Sequence, residues 1–476
     1  MNTFDAAVVG SGPNGLAAAV ALAQTGRKVV VYEAAASPGG GTRTEAVTLP
    51  HFQHDICSAI HPMGLASPFF RALELEREGL TWIHPEVPLA HPLDREPAAL
   101  LHRSLDETAA GLGADADAWT ALFAPIEEGF AQIIDDSLGP LRIPRHPWRM
   151  SRFGLQALRS AKGLARGWFT TERAQALFAG VACHSVLPLE TASSAAIGLV
   201  LSAAGHHVGW PIAEGGSSQI SKALVSRLRR LGGDVVCDRP ITDFADIDTE
   251  GPVLFDTSPR ALADIAKAQL PPRYRDRLLS FRHGPGSCKV DYALDGPVPW
   301  RDPNVLKAGT VHLGGSLDEL AIAERAPHQG DIPDRPYVLV AQQSLFDASR
   351  APEGKHTLWA YCHVPNGCDE DVSDRIEAQI ERFAPGFKDL ILQKHVRTAT
   401  GLETYNANYV GGDIGGGVVD LRQLFARPVS ILNPYATPHP RIFLCSASTP
   451  PAGGVHGMCG FFAARAAAPE VKLSGR

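Results

Sequence analysis

The sequence predicts an α/β fold: a parallel sheet with helices against it, assembled from separated pieces of the chain, and a second α+β domain carrying a helical cap. Three stretches predict it. They are VVGSGPNGLAAAVALAQTGRKVVVYEAA at 8–35, WPIAEGGSSQISKALVSRLRRLGGDVVCDRPITDF at 210–244 and RIFLCSASTPPAGGVHGMCGFFAARAAA at 441–468. Each leads through a turn of small residues into a helix, and long segments of another character separate them.

In the first stretch, Ala6-Ala7-Val8-Val9 is a short apolar run of the kind found in buried parallel strands. Gly10, Gly12 and Gly15, with Ser11, Pro13 and Asn14 between them, supply G-x-G-x-x-G at the turn into a helix. The first glycine permits a tight turn, the second lets backbone approach a pyrophosphate, and the third brings helix and strand together. The helix is rich in alanine and stops before Gly26. Its N-terminus offers unpaired N–H groups to phosphate. The next strand, Lys28 to Tyr32, delivers Glu33, followed by Ala34; an acid there suits a ribose 2′-hydroxyl and repels a 2′-phosphate. This is a Rossmann-like dinucleotide unit.

A second glycine cluster follows at once, Gly39-Gly40-Gly41, with Thr42 and Arg43. Here the chain resembles the glutathione-reductase-type FAD proteins, in which a G-G motif follows the ribose acid. The disulfide reductases of that superfamily carry C-x-x-x-x-C next, whereas Cys57 stands alone, which argues against dithiol chemistry. The C-terminal stretch resembles the phytoene-dehydrogenase-like flavoproteins, the carotenoid desaturases and their relatives. That resemblance implies that Ser446, Ala447, Ser448 and Thr449 form a turn. It places Gly453, Gly454, Val455, Gly457 and Met458 along the isoalloxazine, with a helix N-terminus stabilising charge on the reduced ring. Serines 446 and 448 replace the usual glycines. In the middle stretch the resemblance gives Pro240 and Ile241 an adenine contact and sets Asp256, Thr257 and Ser258 near the adenosine. The likeness covers nearly the whole chain and is strongest to a bacterial and mitochondrial branch named for pyridine nucleotide-disulfide oxidoreductase domains.

These matches divide the chain into an FAD-binding domain from 1–75, 208–265 and 425–476, and a substrate domain from 76–207 and 266–424. KVDYALD (289–295), YVLVAQQS (337–344) and HTLWAYCHV (356–364) read as strands, and 106–134 and 152–205 as mostly helical. Residues from about 469 read as a frayed tail.

Composition bounds the function. A length of 476 residues supports a large core, and a net charge of −7 speaks against general nucleic-acid binding. No apolar run approaches the ~20 residues of a membrane span. Strand-like sequence from about Asp5 leaves no room for a signal peptide, and eight irregularly spaced cysteines without C-x-x-C read as reduced thiols of a cytoplasmic protein. The histidines include no H-x-x-x-H, and no metal is expected.

A second strand–G-x-G-x-x-G–helix unit is absent from the sequence, so the expected reductant is the organic substrate, with dioxygen, a quinone or another acceptor reoxidising FAD. The leading reading is a dehydrogenase or desaturase that takes a hydride from an apolar or partly apolar small molecule. Hydride transfer needs a C–H bond held over the ring more than it needs a protein nucleophile. The alternatives are a flavin amine oxidase, with Trp359 and Tyr361 alternating on one strand as an aromatic pair, and a flavin-binding isomerase or interaction protein without net redox turnover. The candidate proton acceptors are His456, His61 and Tyr405, with Asn406 and Asp413 in the same Gly-rich loop as Tyr405; capping and turn formation compete for each.

From Ser137 to Thr171 there is no acidic residue, while Arg142, Arg145, Arg149, Arg152, Arg159, Lys162 and Arg166 occur. On one helical wheel Arg152, Arg159, Lys162 and Arg166 gather on one side, with Leu155 intruding, and oppose Phe153, Ala157, Leu158, Leu164, Ala165 and Trp168; residues 149–168 are the candidate segment for a peripheral membrane contact. Such a helix suits the outside of a substrate cap or an anionic lipid surface.

Overall fold

The computed structural model describes residues 4–429 and 432–473. Its first sheet has five parallel strands in the order Ile442–Leu444, Val253–Phe255, Ala6–Val9, Val29–Tyr32, Asp234–Val236. Val8 sits between Leu254 and Val31 at its centre. Strands from both ends of the chain thus share one sheet. Helix Pro13–Ala23 covers one face and is buried almost throughout, which its alanines allow. Helix Met458–Ala467 packs directly on it. A Cβ on Gly460 would stand 1.9 Å from Asn14 O, and one on Gly15 would stand 2.2 Å from Gly10 O. Only glycine permits those two approaches.

The second sheet has seven strands in the order Ile391–Arg397, Gly286–Leu294, His356–Val364, Val338–Ala341, Ala308–Leu313, Val87–His91, Ala99–Leu101. All its pairings are antiparallel except that of Ala308–Leu313 with Val87–His91. One face carries Val290, Leu358, Ala360, Val338, Val340 and Val311 and packs on Ile376, Ile380 and Phe383 of helix Ser373–Phe383. The opposite face turns toward a layer of helices between Leu105 and His207, including Ala116–Glu128, Glu172–Ala182 and Ala195–His207. The expected strands and helical stretches form, with ends shifted by a few residues.

Two expectations need correction. The basic stretch is not one helix: Pro147–Ala157 ends, and Ala161–Trp168 begins after Ser160, whose Oγ accepts the Gly163 N–H at 3.1 Å. The tail from 469 is held as far as it is described. Val471 is buried, and Glu470 pairs with Arg27 at 2.6 Å; residues 474–476 lie outside the described residues.

Candidate functional site

The glycine turn is built from backbone. Gly10 takes φ +99° and its N–H donates to Tyr32 O at 2.8 Å, while Gly12 and Pro13 open the helix. The second turn docks on the first, the Gly39 N–H donating to Ser11 O at 3.0 Å. Asp256, at the end of the neighbouring strand, accepts the Gly15 N–H at 2.9 Å. Burial pushes its carboxyl up to about 7 against the pull of that N–H, and nearby Glu33 adds to the rise. Asn14 is buried, and its Oδ1 meets no protein donor.

Glu33 arrives where expected, but its carboxylate is already engaged. It accepts the Ser11 N–H (3.0 Å) and hydroxyl, the Ala35 N–H (2.9 Å) and Arg43 Nη2 (3.1 Å). Those four donors fill the four lone-pair sites of a carboxylate, so a ribose diol would have to displace one of them. Arg43 also donates to Ser37 O at 3.0 Å and lies over the Tyr405 ring. Gly40 approaches Gly12 closely, Gly41 lies beneath the Tyr409 hydroxyl, and Thr42 bonds Ser221 and Gly39 O. Ala34 is exposed. The segment running along Glu33 and Ala35 is Asp238–Arg239. Pro240 is exposed, and Ile241 belongs to the apolar core with Tyr32 and Phe255. Thr257 and Ser258 are buried; Ser258 caps helix Pro259–Ile265, and its N–H donates to Asn408.

At the other end, the Ser446 and Ser448 hydroxyls bond each other at 2.7 Å, and the Ala447 carbonyl accepts from Arg427. The Gly454–Val455 loop leads to Gly457, φ +67°, which opens helix Met458–Ala467 against Ala17 and Phe70. The first and last turns therefore stand at one helix–helix contact.

The three candidate proton acceptors are spoken for. His456 Nδ1 accepts the Met458 N–H at 3.0 Å, so Nε2 carries the proton and donates to Ala452 O at 3.2 Å; burial lowers its pKa to about 4. His61 lies between Ser217 (2.9 Å) and Ser58 (3.4 Å) and is likewise lowered by burial to about 4. The Tyr405 hydroxyl donates to Glu45 at 3.2 Å, its ring sandwiched with Arg43 and Arg397, and burial raises it to about 12. Asp413 accepts N–H groups of Gly284, Gly415 and Gly417 and organises its turn; Asn406 accepts from Asn408.

The residues sequence reasoning missed lie on the inner face of the seven-stranded sheet. Register sets Arg397, Lys289, Tyr361, Leu339 and His312 in one row, and Val311 pairing Ala90 brings His91 beside His312. A second row runs His395, Asp291, Trp359, Ala341, Thr310, Leu89. Lys289 is fully buried, paired with Asp291 and 5.6 Å from the Trp359 ring centre. Burial lowers its pKa, and Asp291 opposes the fall. His54 Nδ1 stands 3.6 Å from Asp291. Cys57, which burial raises, interacts with Lys289 and the Tyr409 hydroxyl and so joins this face to the second glycine turn. Asp291 Oδ2, Thr310 Oγ1, His312 Nδ1, Thr357 Oγ1, Trp359 Nε1 and His363 Nε2 are buried on this side without a protein partner. The legible signal was Lys289 and Asp291 two apart in an otherwise apolar strand, because period two puts both on one face.

A buried ion network ties the segment after strand Val338–Ala341 to the hairpin at Asp55 and the turn before helix Ser218–Arg230. Arg350, fully buried, donates to Asp55 at 3.0 Å and Asp347 at 2.8 Å. Asp55 also accepts from Ser217 N (2.7 Å) and Thr44 (2.8 Å), and Asp347 accepts from Gly215 N (2.8 Å). All eight cysteines are free thiols. Among the described residues no group of three or more His, Cys, Asp or Glu is placed to hold a metal ion, and no helix is long and apolar enough to cross a membrane.

Comparison with known proteins agrees with this geometry. The family model for an NAD(P)-binding Rossmann-like domain matches residues 8–73. Pyridine nucleotide-disulfide oxidoreductase domain-containing protein 2 of Rattus norvegicus is 25% identical over 558 aligned positions, covering 98% of this chain and 94% of the relative; that of Mus musculus is 24% identical. Among solved structures, an oxidoreductase from Methanosarcina mazei superposes with a TM-score of 0.64 at 15% identity, covering 96% of this chain and 98% of its own. A putrescine oxidase variant gives 0.61 at 18%, covering 98% of both chains. Cyclohexylamine oxidase from Brevibacterium oxydans gives 0.59 at 16%, covering 98% and 99%. The fold is that of these proteins: a mixed α/β chain with a Rossmann-like dinucleotide domain.

Proposed function

We propose that the chain is an FAD-dependent oxidoreductase acting on a small organic molecule seated against the inner face of the seven-stranded sheet. The carrying observation is the convergence of both glycine turns with the C-terminal helix, through the Gly460–Asn14 approach. A plain NAD domain has no need of that second end. The residues present fit FAD. Gly10 and Gly12 leave no room for a Cβ against Asp256, and Gly40 none against Gly12, so the two turns close together with bare backbone at their surface; Asn14 Oδ1 is open, and Ser11, Glu33 and Arg43 offer exchangeable polar contacts. Ser446, Ser448 and the Gly454–Met458 segment would hold its other end. Bound FAD would supply a two-electron acceptor taking a hydride at N5.

The chain's own residues bind, orient and exclude water. The helical layer closes over the inner face, and the Trp359 and Tyr361 rings meet edge-on with centres 5.0 Å apart. Lys289 keeps a compact charge at the junction of that face with Gly41, held in place by Asp291. A desaturase-type reaction is supported by the motif resemblance at 441–468. The unpaired polar atoms along the face favour a substrate with polar groups over a wholly apolar polyene, which would leave those atoms unsatisfied at a cost of roughly 1–3 kcal/mol each.

Amine oxidation is the second reading. The Trp359–Tyr361 pair favours it, and two solved structures of similar fold are named for putrescine and cyclohexylamine oxidation. The test is the visible spectrum of purified protein before and after anaerobic addition of donors. A yellow preparation bleached by a polar alcohol or amine is expected. A colourless protein that refuses FAD overturns the flavin reading, and hydrogen peroxide released with amines in air selects the second.

A further inference from the structure

We infer that the face formed by residues 141–158 docks the protein on an anionic bilayer surface. The chain leaves helix Phe130–Ser137, turns through 138–146 and enters helix Pro147–Ala157. Asp136 pins that turn by accepting the N–H groups of Arg145 (3.0 Å) and His146 (2.9 Å). The pinned turn and helix present Leu141, Ile143, Trp148, Leu155 and Leu158 to solvent, Ile143 at 90%, Trp148 at 76% and Leu155 at 73% exposure. Exposed apolar side chains this large, gathered within one short segment, mark a contact surface.

The charges choose the occupant. Seven cations and no acid fall between Ser137 and Thr171, and the structure sorts those cations by position. Lys162 and Arg166 pair with Asp318 at 2.9 and 2.8 Å, and Arg142 leans on Asp136. Arg145, Arg149 and Arg152, which flank Trp148, have no ion pair among the described residues. A groove of about 380 Å³ opens beside them, lined by Leu122, Ile126, Ile133, Phe153 and Trp168, with Glu128 its one acid. Unpaired arginines interleaved with a protruding tryptophan and branched aliphatics are the chemistry of an interfacial surface. The cations meet anionic headgroups, while Trp148, Leu155 and Ile143 enter the acyl boundary. A second copy packed two-fold on this face would set Arg145, Arg149 and Arg152 against their own equivalents, at a repulsive cost.

Co-sedimentation of the full-length holoprotein tests this with two vesicle preparations, phosphatidylcholine mixed with phosphatidylserine and phosphatidylcholine alone. Binding only to the mixed vesicles, weakened by salt, is expected. Arg145→Ala with Arg152→Ala lowers the partition roughly thirtyfold at low salt, and Trp148→Ala with Leu155→Ala lowers it at least tenfold. Both pairs are at the surface, so far-ultraviolet circular dichroism and thermal midpoint stay unchanged. Absence of binding to the mixed vesicles, or binding that survives both double substitutions, overturns the inference. So does a Trp148→Ala/Leu155→Ala variant that only converts a dimer to a monomer.

Discussion

In the five-stranded sheet the strands are short and parallel, and all but the edge strand Asp234–Val236 are buried throughout. Glycines and backbone N–H groups cluster at their ends. In the seven-stranded sheet the strands run up to nine residues, and the polar groups are side chains, Lys289, Asp291, Tyr361, His312 and His91, on one buried face. The first sheet tolerates polar chemistry only at its margin. The second carries it through its middle, where Lys289 and Asp291 pair and several neutral polar atoms stay without a protein partner. A backbone site is thus protected by shape, and a side-chain site by pairing, and the two fail differently when altered.

Removing a pair partner is the harshest way to break that contrast. Arg350→Met leaves Asp55 and Asp347 buried without their cation and is expected to cost about 3–5 kcal/mol in denaturant unfolding. A loss below about 1 kcal/mol would show that the junction does not depend on pairing.

On the backbone side, Asp256→Asn sharpens the comparison through pH. The folded-state pKa of Asp256, about 7, lies above its unfolded value, so the folded form binds the extra proton between about pH 4 and 7, and stability from this group falls as pH rises through that window. The variant is expected to gain up to about 4 kcal/mol at pH 8 and nothing at pH 4. The buried histidines act with the opposite sign. His54, His61 and His91 are lowered by burial to about 4, so their contribution is whole above pH 6.5 and is lost as pH falls toward 4. Tm measured across pH 4–8 should therefore fall on the acid side in wild type and rise at pH 8 in the variant; parallel curves would refute the assignment.

Gly460→Val tests shape alone, since the Asn14 carbonyl stands in the way of any side chain. It is expected to cost about 1–3 kcal/mol and to release bound flavin, read by absorbance after gel filtration. The smallest effect belongs to His456→Asn. Both ring nitrogens serve the loop, so about 1 kcal/mol of stability goes, and the pH profile of substrate oxidation keeps its shape. A profile that loses its acidic limb would return His456 to the chemistry as a proton acceptor.

The dinucleotide half could be read from the sequence because its requirements are local. A tight turn, a close helix approach and an acid one strand later occupy consecutive positions, so Gly10, Gly12, Gly15 and Glu33 appear together. The engagement of Glu33 by Ser11 and Arg43 was not legible, since it depends on the second turn folding back. The fate of His61 and His456 was open in sequence and closed by geometry, once Ser217 and Met458 supplied partners.

What the sequence by itself determined was the α/β class, the glycine turns and the strands and helices of each segment. These follow from backbone sterics and hydrophobic period, which neighbours along the chain control. The tertiary structure alone decided which side chains meet. Lys289, Tyr361, His312 and His91 come from four strands far apart in the chain, and only sheet register, set by burial of the opposite face, brings them into one row.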